Sequence, residues 1–259
     1  MLYGERNWTQ IPPLTDRVVV VPLGSMEQHG RHLPLLTDSM ICEEIVRRAE
    51  GVLGDEALFT PLLWIGASDH HLKFPGTISA SNDTYKRLLV DVLESLIGSG
   101  FKRVLFLNAH GGNVLPARAA LYEVQMRHRD AHDLWLVLGT WFELAAAQIA
   151  ALDILEQKYV THSCELETSM ILHLRLELVD MQAASGANEP FESAFYSPYS
   201  GRGSRVAITR PFEHTTQSGA YGHPELATPE KGGALFSAVI DEVAACVREI
   251  ATWQPLVPR

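Results

Sequence analysis

Positive charge is scarce in this sequence: 21 lysines and arginines stand against 31 aspartates and glutamates, a formal net charge of −10. A nucleic-acid partner would call for a basic face to displace counterions from phosphate, so none is expected. Cysteine is scarce too. Cys42, Cys164 and Cys246 are odd in number, far apart and without zinc-knuckle spacing, which argues against a disulfide framework. No apolar run approaches the ~20 residues that span a bilayer, so no membrane partner is expected. Residues 1–15 have no apolar signal-peptide core, and the cytoplasm is the expected compartment. Repeats, low-complexity tracts and linkers are missing, and 46% of the 259 residues are hydrophobic, so a single domain over 1–259 is expected. The G-x-x-x-x-G-K-[ST] and G-x-G-x-x-G nucleotide patterns are also absent.

What is present alternates. Arg17–Leu23 is a continuous β-branched run of the kind found in buried parallel strands. Ala57–Ile65, broken by Pro61, Arg103–Leu107 and Leu134–Leu138 are further strand candidates. Asp38–Glu50 and Asn82–Ile97 have helical apolar spacing, with Thr37 or Asp38 and Asn82 available as N-caps. Asn113 can cap a helix running toward His128, and Glu165–Leu176 and Pro229–Thr252 complete the helices. Residues 183–226 are rich in Ser, Gly, Pro and aromatics and read as a long irregular segment. Strand–helix alternation predicts an α/β fold, a sandwich around a mostly parallel central sheet, with ligands bound beyond the carboxyl ends of the strands.

Chemistry-bearing residues fall at those ends. Glu27 and His29, one residue apart, project to the same side of an extended segment. Asp38, at the start of the next helix, either caps it or reaches back, where a carboxylate can bridge two metals. Asn108-Ala109-His110-Gly111-Gly112-Asn113 follows a buried strand. Its glycines permit close ligand approach and free N–H groups for an anion, while His110 suits a metal. In the loop Gly66–Thr77, one of the adjacent His70 and His71 is a candidate substrate contact, with His71 the preferred one, and Ser68, Gly111 and Gly112 are candidates beside it. His162, in a loop before a helix, is a candidate general acid, and Glu167 either interacts with the helix dipole or joins the site. Cys164 could pass for a nucleophile but reads better as a buried small residue. Glu, His and Asp together suit Zn, Mn or Fe, at one or two ions per chain.

These segments resemble the creatininase (creatinine amidohydrolase) family. The matching stretches are Gly24–Gly30 with His32–Leu35 and Thr37-Asp38, then His71 with Phe74–Thr77, then Asn108–Asn113, His162 with Glu167–Ser169, and a weaker tail, Gly219–Pro224. The resemblance implies a three-layer α/β/α fold, metal-dependent cleavage of C–N amide bonds, and a homo-oligomer, most often a hexamer. It implies that Glu27, His29, Asp38 and His110 are metal ligands, with Asp38 bridging. His162 is matched to the proton-transferring histidine, and Glu167 to a carboxylate that completes the coordination. The sequence departs from creatininase itself at Gly112, where that enzyme has a metal-binding glutamate, at Thr161 (a glutamate there) and at Lys158 (a tryptophan there). Ser163-Cys164 stands where small Gly or Ala pairs are usual. The expected activity is therefore hydrolysis of a small-molecule amide, lactam or formamide by a metal-activated water, with creatinine disfavoured. The rivals are a peptidase of the same family and a metal-dependent isomerase or lyase on a sugar-derived substrate. The aromatics of 183–226, namely Phe191, Phe195, Tyr196, Tyr199, Phe212 and Tyr221, are expected at a subunit interface near a neighbour's site, or else folded back as a lid.

Overall fold

The computed structural model describes residues 1–157, 159–186, 191–197 and 204–256. A four-stranded parallel sheet runs through the middle in the order β2-β1-β3-β4, with β1 Val18–Leu23, β2 Ala57–Phe59, β3 Arg103–Asn108 and β4 Trp135–Thr140. The helices are α1 Thr37–Leu53, α2 Asn82–Gly98, α3 Val114–Arg127, α4 Trp141–Leu144, α5 Ala146–Leu152, α6 Glu165–Arg175 and α7 Pro229–Thr252.

The strands are apolar throughout because both faces are covered. Val18, Val20, Leu105 and Leu107 pack against Ile41 and Ile45 of α1, Met170 of α6 and Val239 of α7. Their alternates Val19, Val21, Val104 and Phe106 pack against Leu89 and Leu93 of α2 and Ala117 and Ala120 of α3. This is the expected three-layer α/β/α arrangement. Among the described residues no helix is long and apolar enough to cross a membrane.

Local details differ from the sequence reading. The second strand stops at Phe59, short of Ile65, because Pro61 has no N–H for the ladder. Beyond it the chain stays beside β1 only through single bonds, such as Leu63 N–H to the Pro22 carbonyl at 3.0 Å. Helices α4 and α5 were not foreseen: their alanine-rich stretch has helix propensity but no apolar stripe. Neither Thr37 nor Asp38 caps α1, whose N-cap is Leu36 without a side-chain bond; the Thr37 hydroxyl donates to the Pro34 carbonyl at 2.7 Å. Ser81 caps α2 in place of Asn82.

Candidate active and metal site

The carboxyl ends of β1 and β3 deliver the two main ligand-bearing segments side by side. After β1, Glu27 and His29 are both fully buried. After β3, Asn108 tightens the turn: its amide donates to the His110 carbonyl at 2.8 Å, and its Oδ1 accepts from the His110 N–H at 3.2 Å. Asn113 does not cap α3 with its side chain. It joins three segments instead, accepting from Ala67 N–H at 2.9 Å and donating to the Gly24 carbonyl at 3.0 Å and to Asn108 Oδ1 at 3.2 Å.

Asp38, released from capping, points into the site from the first turn of α1. Its Oδ1 lies 3.1 Å from His29 Nε2, and its Oδ2 lies 3.2 Å from His110 Nδ1 and accepts from the Ser25 hydroxyl at 2.7 Å. Glu27 is 3.1 Å from His110 Nε2, 3.4 Å from His71 Nε2 and 3.7 Å from His162 Nδ1. Neither Glu27 oxygen receives a well-directed hydrogen bond, although both are buried. A buried carboxylate without directed donors is costly. Here it faces a ring of nitrogen and oxygen lone pairs that a cation would satisfy. Among the described residues, three sets of donor atoms fall within 4.8 Å of one another: Glu27, Asp38 and His110; His29, His162 and Glu167; and Glu27, His71 and His162. The residues therefore fit a divalent metal centre.

The electrostatics follow from burial and crowding. Burial alone would push Glu27 up, but the imidazoles of His110 and His71 outweigh it and hold the carboxyl well below its ordinary range. Asp38 is likewise held down, with His29 overcoming burial. Burial would lower His29 and His110, but the facing carboxylates, Asp38 for the first and Glu27 for the second, raise them to about 9 and about 10. Burial pushes Glu167 up to about 7, and pushes His71 down to about 3. His162 is pushed well below its ordinary value by burial and by His29 and His71.

Gly111, Gly112, His71, His162 and Glu167 line one cavity of about 720 Å³ with Glu27, Asp38 and His110. Ser68 is fully buried behind His110, its hydroxyl 3.3 Å from Nε2, and is not among the residues that line the cavity. Glu167 accepts from the Ser163 N–H, whose residue sits at φ 55°. Cys164 is buried, with its thiol pushed up to about 12 by burial, which does not suit a nucleophile. Phe191, Tyr196, Phe212 and Tyr221 line the cavity of their own subunit, so this part of 183–226 folds back over the site; Tyr199 lies outside the described residues.

Gln28 has no place in the sequence reading, His70 is there the less favoured of the histidine pair, and Phe212 is one of the interface or lid aromatics. Gln28 sits between two candidate ligands, and its amide nitrogen lies 2.8 Å from His71 Nδ1 and 3.1 Å from His162 Nε2. His70 lines the cavity and stacks on His110 with ring centroids 5.6 Å apart. Phe212 lies against His71 at 4.3 Å and His162 at 4.7 Å. The aromatic content of 183–226 is a signal for Phe212; no pattern marks Gln28.

The pattern of the creatininase (creatinine amidohydrolase) family matches residues 4–247. The chain belongs to the creatininase family. Its relatives in the family include the mycofactocin precursor peptide peptidase of Mycobacterium tuberculosis (strain CDC 1551 / Oshkosh), 31% identical over 261 residues that span 97% of this chain and 91% of the relative. The creatinine amidohydrolase of Pseudomonas putida is 24% identical over 262 residues, 95% of each chain. A crystal structure of creatininase superposes with a TM-score of 0.81 at 22% identity, covering 98% of both chains, and related creatininase structures are described as manganese and Zn–Zn forms. Creatininase-family members are hydrolases.

A Cβ on Gly112 would lie 2.2 Å from the Ala67 carbonyl and 2.4 Å from His110 Nε2, so the backbone of the 66–71 loop fills the space a side chain would need. Thr161 turns its hydroxyl to the Tyr221 carbonyl, tying the two walls of the cavity together. Lys158 lies outside the described residues.

Proposed function

We propose that this protein hydrolyses amide bonds with one or two divalent ions, Zn, Mn or Fe, and that a peptide-derived amide is its substrate. The observation that carries the reading is the buried, undirected Glu27 carboxylate inside a ring of histidines and acids. Glu27, Asp38 and His110 would hold one ion, and His29, Glu167 and Asp38 a second. When bound, such an ion supplies a water whose pKa falls from 15.7 to about 7 and polarises the carbonyl.

The chain's own residues supply the rest. His162 is neutral because it is buried, and its Nε2–H donates to the Gln28 carbonyl at 2.8 Å. Its Nδ1 faces the centre, where it takes a proton from the attacking water and returns it to the leaving nitrogen. Backbone N–H groups at Gly111-Gly112, which line the same cavity, would hold the developing oxyanion. The Phe212 ring, packed on His71 and His162, keeps bulk water from the reacting centre.

The peptide substrate is supported by the relatives named as peptidases and by a cavity within the ~300–1,000 Å³ range of ligand sites. The small-molecule amide remains the second reading, supported by the creatinine amidohydrolase likeness. Creatinine itself is disfavoured, since Gly112 admits no glutamate here. We also propose a homo-oligomer, with a hexamer as the expected form; light scattering that returns the monomer mass of 28.7 kDa would refute it.

Protein loaded with Mn²⁺ or Zn²⁺ and screened on short peptides, N-acyl amino acids, formamides, lactams and creatinine in ¹⁸O-water tests the reading. Metal-dependent cleavage with one ¹⁸O in the acid product is expected. Turnover without ¹⁸O would point to an isomerase or lyase. Metal content under about a tenth of an ion per chain, with no uptake, would remove the metal centre.

A further inference from the structure

Among the described residues, the cavity that holds the donor cluster carries one arginine on its wall, in a chain of net charge −10. Ile208, Arg210 and Phe212 all line it, with extended Pro211 (φ −60°, ψ 146°) between the last two. Alternate residues of an extended chain share a face. At ~3.3 Å per residue, the Arg210 backbone lies about 7 Å from that of Phe212. The Phe212 ring touches His71 and His162, so Arg210 stands one step outward from the reacting centre on the same wall.

Among the described residues, no hydrogen bond or ion pair engages the Arg210 guanidinium. Phe142, Phe191 and Tyr196 supply apolar surface to the same cavity. A single guanidinium matches one carboxylate through two parallel hydrogen bonds. A phosphate dianion would call for further cationic donors, and the described wall has no lysine and no second arginine.

Resting on the amide-hydrolase reading, we propose that the substrate carries a free carboxylate and an apolar side chain on the leaving-amine side of the scissile bond, and that Arg210 binds that carboxylate. Water adds to the acyl carbon, the C–N bond breaks, and the amine leaves with the proton as a free amino acid or very short peptide. The enzyme then trims a chain from its carboxyl end.

The test pairs N-acetylglycylphenylalanine with its C-terminal amide on Mn²⁺-loaded protein, with Arg210→Met and Arg210→Lys alongside. The wild type is expected to favour the acid by about tenfold or more in kcat/KM, through KM. Arg210→Met should bring the ratio below about threefold, and Arg210→Lys should restore part of it. A wild-type ratio near one, or a ratio that survives Arg210→Met, overturns the proposal. Calorimetric titration with N-acetylphenylalanine and N-acetylphenylalaninamide reads the same preference without turnover. Tighter binding of the acid that is lost in Arg210→Met upholds the carboxylate site even if neither peptide is cleaved, a result that would count against the hydrolase reading alone. Equal binding of the two overturns the carboxylate site whatever the turnover.

Discussion

The Nε2 of His162 lies 2.8 Å from the main-chain carbonyl of Gln28. A carbonyl only accepts, so this nitrogen carries the proton of the neutral ring, and Nδ1 presents a lone pair to the centre, 3.7 Å from Glu27 Oε1. That places His162 to move a proton. His162→Asn should therefore keep its metal while kcat falls by about 10²–10⁴. Elemental analysis and kcat measured on one preparation check both halves. If the ion leaves with the imidazole, His162 is a ligand.

Asp38 divides its oxygens between His29 and His110. A residue shared by both donor sets should matter more than one that belongs to a single set. Asp38→Ala is expected to lower metal content to near zero, whereas His29→Ala should spare the ion held by Glu27 and His110. Inductively coupled plasma mass spectrometry on the two variants decides. Equal losses would remove the bridging role.

The sheet, its flanking helices and the donor set were legible because each rests on a local pattern. Continuous β-branched runs mark strands buried on both faces, and Glu27, His29 and His110 follow such runs directly. The long-range roles were not legible. Gln28 has no pattern that announces its bonds to His71 and to the Gly219 carbonyl, 191 positions away at 3.1 Å. Phe212 and Arg210 lie in an aperiodic segment whose path is set by tertiary packing. Asp38 looked equally like a cap because capping and coordination ask for the same residue type at a helix start; the Ser25 bond and the two imidazoles separate the roles only in three dimensions.

Ser163 holds a left-handed backbone, φ 55°, and its buried hydroxyl has no partner among the described residues. Ser163→Gly relieves the strain and removes the orphaned hydroxyl, against the greater freedom of glycine in the unfolded chain. A net gain of about 1 kcal/mol is expected, read from chemical denaturation of metal-loaded protein. Gly112→Ala should act oppositely, costing about 1–3 kcal/mol by forcing the Ala67 carbonyl and His110 apart.

The metal-free protein should depend on pH through its histidines. His29 and His110 are raised from an ordinary 6.5 to about 9 and about 10 by the carboxylates that overcome their burial. A raised value means that the stabilisation is complete below pH 6.5 and is lost as pH climbs through 9 to 10. The Tm of metal-free protein should therefore fall across that alkaline range. Divalent ions need neutral imidazoles, so loading at pH 7–8 should expel about one to two protons per chain. Loaded protein should in turn lose the alkaline fall in Tm. Calorimetric titrations in buffers of different ionisation enthalpy count the protons. Uptake with no proton release would mean that His29 and His110 are already neutral, and that their contacts with Asp38 and Glu27 are not ion pairs.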